Sequence, residues 1–132
     1  MFEPRVKNGQ TDLLMKALLS LESTDEAYRF FEDLCTIAEI KSMAQRIEVA
    51  KMLREHATYQ EIARQTGASS ATISRVNRSL QYGNGGYEIV FARLRELAEK
   101  ASIYGALTLY LDFINIFLYV VRLLGLNSRR RD

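Results

Sequence analysis

Cysteine and histidine are almost missing from this chain of 132 residues. Cys35 stands alone, so no internal disulfide and no cysteine-based metal site can form. His56 is also single and sits in a polar helix end. No nucleophile is spaced for pairing with a general base, and separated acids such as Glu48 and Glu55 read as a solvated helix face. Catalytic residues, metal ligands and a resident cofactor are therefore not expected. The N-terminal MFEPRVKNGQTD has no apolar core segment, so a secretory signal is not expected either. With the lone thiol, this points to a reducing cytoplasm.

Apolar residues, at 48%, suffice for a core, and the length fits one domain or one domain plus an appendage. The formal charge of +2 is unevenly spread. Residues 1–40 hold four basic and eight acidic side chains, 41–82 hold seven and three, and 83–132 hold seven and five. The middle block, at +4, is where a phosphate-facing surface belongs. So modest a local charge favours two copies acting together.

Residues 1–10, with Pro4 and Asn8-Gly9, read as a mobile arm. A first helix is expected over 11–21, with Leu14, Leu18 and Leu21 in one stripe. Ser23 and Glu26 form a capping box before a helix carrying Ala27, Phe30, Phe31 and Leu34. Thr36 and Glu39 form another, opening a third helix to about His56 with Ile40, Met43, Ala44, Ile47, Ala50 and Leu53 on one face. Three such helices expose much apolar surface, which predicts an interlocked homodimer; packing in cis is the alternative.

The stretch 59–79, YQEIARQTGASSATISRVNRS, reads as a helix-turn-helix. Ala63 is small where a second helix must cross, Gly67 allows the turn, and Ile62, Ile73 and Val76 set the angle between the helices. Thr58 and Ser69 are the expected N-caps. Ser69, Ser70, Ala71 and Thr72 would meet bases; Gln60, Arg64, Arg75 and Arg78 would mostly meet phosphates of double-stranded DNA. Residues 83–86 read as a turn before a helical pattern carrying Ile89, Val90, Leu94 and Leu97. They lack the downstream Lys-Ser/Thr of a phosphate loop.

LCTIAEIKSMAQRIEVAKMLRE, TYQEIARQTGASSATISRVNRSLQYGNGGY and the helix after them resemble the Trp repressor family, most closely its small Gram-positive branch of YerC/YecD type. The resemblance spans about residues 11–95. It implies an all-α, intertwined dimer with a cytoplasmic DNA-binding role. It also implies an effector pocket of Thr36, Arg46, Arg75 and Ser79. A small-molecule corepressor is compatible with that pocket. Tryptophan is disfavoured, because Val76 replaces the family's glycine after the pocket arginine.

The tail departs from this pattern. Residues 103–121 contain one charge, Asp112, and one amide, Asn115, before Arg122 and the run Arg129, Arg130 and Arg131. About 20 apolar residues suffice to cross a bilayer, and the basic end would favour the cytoplasmic side. KASIYGALTLYLDFINIFLYVVRLLG resembles the last membrane helix of the Bax-inhibitor family, where Asp112 would match one of a pair of carboxylates linked to proton sensing and calcium leak. The partner carboxylate and the other membrane helices are absent, so that channel-like role is not implied.

The expectation is thus an all-α protein with a mobile arm (1–10), a Trp-repressor-like DNA-binding dimer domain (11–100) and an extra apolar C-terminal helix with a basic tail (101–132). Its function would be a helix-turn-helix regulator, most simply a repressor, in the cytoplasm. The alternative is a membrane-tethered helix-turn-helix interaction protein. The tail could be a fused segment, a membrane tether through 103–121, or a further core helix.

Overall fold

The computed structural model describes residues 1–125 in full and the backbone of 126–131. The basic run Arg129, Arg130 and Arg131 thus lies outside the residues described with side chains. The described residues form six helices: α1 (Gly9–Leu19), α2 (Thr24–Leu34), α3 (Ile37–Arg54), α4 (Tyr59–Thr66), α5 (Ser70–Tyr82) and α6 (Gly86–Arg131). Two compact units result, Met1–Arg78 and Ser79–Asp132.

Helix starts follow the local chemistry closely. A helix leaves its first four N–H groups unpaired, and an oxygen-bearing side chain at the N-cap satisfies one of them, for about 1 kcal/mol. Asn8 does this for α1: its Oδ1 accepts from the Thr11 N–H at 2.9 Å, while the Thr11 hydroxyl accepts from the Asn8 N–H at 2.8 Å. This cap starts α1 two residues before the expected Thr11 and draws the end of the 1–10 arm into it. Lys7 Nζ also pairs with Asp12 at 3.2 Å. Thr36–Glu39 and Thr58–Glu61 are complete capping boxes. At α2 only half of the expected box forms. Ser23 Oγ accepts from the Glu26 N–H, but the Glu26 carboxylate accepts from the Glu22 N–H one residue earlier.

The chain leaves α3 through His56, which lies two residues past its end and has φ +63°. The Ala57 N–H reaches back to the Met52 carbonyl at 3.1 Å, so a left-handed residue closes the helix. This is the position where glycine would be free of strain.

In the first unit, α3 packs against α2 and α4. The buried apolar residues are Val49 and Ala50 of α3, Ile62 of α4, Ala68 in the turn, and Ile73 and Val76 of α5. This corrects the stripe expected on α3. Ala50 is buried as expected, but Ile47 is 48% exposed, and Val49, outside that stripe, is fully buried. The reason is geometric. At 100° per residue, Val49, Ala50 and Leu53 lie on one side of α3, and Ile40, Ala44 and Ile47 on the other. The helix has two apolar faces, and the core takes the one less evident in the sequence.

In the second unit the turn is tight at Gly83. A Cβ there would collide with the Ser79 carbonyl oxygen, which accepts the Gly83 N–H at 2.9 Å. Gly85 follows with φ +78°. From Gly86 the chain is one helix of 46 residues, so the tail is not a separate helix. The change in composition near residue 100 leaves no break in the backbone, because no proline interrupts the stretch. The rings of Tyr87 and Phe91 stack one turn apart, with centroids 6.1 Å from each other.

Candidate nucleic-acid interface

The site is built from α4, the turn and α5 as far as Arg78. Thr66 organises the turn. Its hydroxyl donates to the Ile62 carbonyl at 2.7 Å and accepts from the Ala68 N–H at 3.1 Å. Gln45 Nε2 donates to the Thr66 carbonyl at 3.0 Å, tying α3 to the end of α4 across 21 residues. Gly67 has φ +72°, and its N–H caps the Ala63 carbonyl. The chain therefore turns within the three residues 67–69, and the buried Ala68 anchors the turn in the core.

Helix α5 then starts at its expected cap. Ser69 Oγ accepts from the Thr72 N–H at 3.1 Å and donates to the Thr72 hydroxyl at 3.0 Å. Ile73 and Val76 face the core. By helical register Ala71, Ser74, Arg75 and Arg78 form a ridge of i, i+3, i+4 and i+7 on the opposite side, with Ser70 at its start. All five are exposed. On α4, Gln60 and Arg64 are one turn apart and also exposed. Among the described residues, Arg64, Arg75 and Arg78 make no ion pair. The result is a short helix locked on one face and polar and cationic on the other, with small side chains near its N-terminus. A major groove admits an α-helix, and small side chains at its start leave room for close approach to base edges.

Sequence reasoning did not single out Ser74, Thr66 or Gln45. Ser74 could have been found by extending the ridge from Ala71 and Arg78. Thr66 and Gln45 had no such signal, because their roles depend on how α3 crosses α4.

The four residues of the expected effector pocket have other partners or positions. The Thr36 hydroxyl accepts from the Glu39 N–H at 3.1 Å, and Glu39 Oε1 accepts from the Thr36 N–H at 3.0 Å. These bonds hold the Glu39 carboxyl below its ordinary value of 4.5, the backbone N–H contributing most. Arg46 Nε lies 3.4 Å from the Ser42 carbonyl of its own helix. Arg75 belongs to the exposed ridge, and Ser79 falls in the second unit. Val76, expected to intrude on a ligand, is buried in the core.

A cleft of about 420 Å³ in the first unit lies elsewhere, lined by Glu48, Lys51, Glu55, His56 and Glu61 among others. Its three carboxylates repel phosphate. Among the described residues, no group of three or more His, Cys, Asp and Glu could hold a metal ion.

Comparison with known proteins agrees with this fold. The family model described as Trp repressor protein matches residues 9–95. The YerC protein of Bacillus subtilis is 52% identical over 98 residues, which is 74% of this chain and 94% of YerC. A second curated protein, from Rickettsia prowazekii, is 60% identical over only 37 residues, covering 28% of this chain and 14% of that protein. Among solved structures, a TrpR-like protein from Eubacterium eligens is 64% identical with a TM-score of 0.66, covering 68% of this chain and 93% of its own. A candidate Trp repressor from Staphylococcus aureus is 47% identical with a TM-score of 0.67, covering 69% and 91%.

Proposed function

The chain belongs to the Trp repressor family, and on that premise we propose that it is a sequence-specific DNA-binding regulator, acting as a homodimeric repressor in the cytoplasm. The observation that carries this reading is the exposed ridge of α5. Ser70, Ala71 and Ser74 are small enough to meet base edges, while Arg75 and Arg78, with Gln60 and Arg64 of α4, are placed for phosphates. Ser69 and Thr72, whose hydroxyls already bond at the cap, set the start of the helix and contribute less to base contact.

The homodimer rests on unpartnered surface. Leu13, Leu19, Tyr28, Leu34 and Ile37 are 52–86% exposed on α1, α2 and α3, and Ile47 faces away from the core. Full burial of such a side chain contributes about 1.5–3 kcal/mol. A second copy would cover them and bring two reading helices to a spacing of about 34–36 Å, one turn of DNA. In this reading residues 11–100 form the DNA-binding dimer and 101–132 an appendage. A small-molecule corepressor at Thr36, Arg46, Arg75 and Ser79 would compete with the present bonds of Thr36 and Arg46. Tryptophan fits poorly beside the branched Val76.

The test is selection of duplexes from a random pool by the full chain, with its mass measured in parallel. Enrichment of a two-fold symmetric site by a dimer is expected. Failure to enrich any sequence would refute the assignment, and an asymmetric site bound by one copy would refute the homodimer.

A further inference from the structure

The apolar end of α6 lies outside the helix-turn-helix, and its side chains have an internal order. Along α6, residues 86–125 form a helix whose most apolar window has a mean hydropathy of 1.7 and no buried residue. Between 103 and 121 the polar side chains are not scattered. Tyr104, Thr108, Asp112, Asn115 and Tyr119 fall at i, i+4, i+8, i+11 and i+15, and Arg122 continues the series. At 100° per residue they occupy an arc of about 80°. The remaining arc of about 280° is apolar apart from the Tyr110 hydroxyl. It presents Ile103, Leu109, Phe113, Ile116, Phe117 and Val120, each 46–72% exposed.

That asymmetry selects the occupant. A large folded core could surround such a helix, but this chain buries no residue of that window. A single neighbouring helix covers a stripe of about 100°, and an interfacial helix buries one face and keeps the other wet. Neither covers three quarters of a circumference. A lipid bilayer does. The 19 residues rise about 28 Å, against a hydrocarbon thickness of about 30 Å. Backbone groups are satisfied within the helix, as hydrocarbon requires. The Thr108 hydroxyl donates to the Tyr104 carbonyl at 2.9 Å, so it needs no water. Tyr104 and Tyr119 lie near the two ends, at headgroup depth, and Arg122 just beyond. Asp112 and Asn115 share the narrow polar arc, which can be turned away from lipid.

We propose that residues 103–121 span a lipid bilayer and anchor this chain to it. The inference stands on the helix alone and does not depend on the DNA-binding reading.

The test uses the full chain expressed in a bacterial host. Membranes are washed with alkaline carbonate and then floated through a density gradient, which separates embedded protein from sedimenting aggregate. The expected result is a chain that resists the wash and floats with lipid. A double variant, Leu109→Arg with Phe113→Arg, places two charges on the apolar arc; most of it should leave the floating fraction. Three outcomes would overturn the proposal: a soluble or sedimenting wild type, release by carbonate, or a double variant that floats as fully as the wild type. DNA selection is read separately, so failure of one assignment leaves the other intact.

Discussion

Replacing Arg78 by alanine removes one cation from the exposed ridge of α5 and disturbs no buried group. On the proposed reading three arginines per protomer, Arg64, Arg75 and Arg78, meet phosphates, so a dimer neutralises six. Each neutralised phosphate contributes about −0.9 to the slope of log K against log salt, giving about −5.4 for the wild type and about −3.6 for R78A. Between about 50 and 200 mM salt, affinity should fall roughly 2000-fold for the wild type and roughly 150-fold for the variant. Fluorescence anisotropy on the selected duplex at four salt concentrations measures both slopes. Arg29 pairs with Asp25 on the exposed side of α2 and serves as the control, since R29A should leave the slope unchanged. If R78A binds as tightly as the wild type at every salt, Arg78 is not in the interface. If it binds more weakly with an unchanged slope, Arg78 reads a base instead, and the division into base-facing and phosphate-facing residues is wrong.

Gly83→Ala should destabilise the fold by about 1–3 kcal/mol, because the added Cβ meets backbone and cannot be relieved by a rotamer change; thermal unfolding reads this, and an unchanged midpoint would refute it. His56→Gly should act in the opposite sense. A β-carbon in the left-handed region costs about 1–2 kcal/mol, and the greater unfolded freedom of glycine returns about half of that, so Tm should rise by a few degrees rather than fall. Glu39 supplies a dependence on pH. Its folded pKa is depressed below 4.5, so its contribution is present in full above that value and is lost as the pH falls through the lower, folded value. NMR titration should place the Glu39 carboxyl below free glutamate, and Thr36→Val should move it back up by removing the hydroxyl; a carboxyl that titrates as free glutamate in the intact chain would contradict the cap.

Much of the site was legible before the fold. Thr36, Thr58 and Ser69 cap where their residue types say they should, because a cap is a bond between neighbours three residues apart. Gly67 turns left-handed as its lack of a side chain permits. Ala50, Ile62, Ile73 and Val76 are buried in the register that their spacing announces. The effector pocket was less legible. Its members were carried over from a resemblance, and the local bonds of Thr36 and Arg46 compete with any ligand for the same atoms.

The sequence alone determined the class of the protein: helices, their starts, the helix-turn-helix, a segment of one helix apolar enough to cross a membrane, and the family. These depend on contacts spanning only a few residues, so composition and spacing carry them. Tertiary structure decided which of the two apolar faces of α3 is core and how Gln45 braces the turn through Thr66. Those outcomes depend on groups distant in the chain, or on which of two equally apolar surfaces finds a partner. A linear pattern records that a face is apolar, but not what will lie against it.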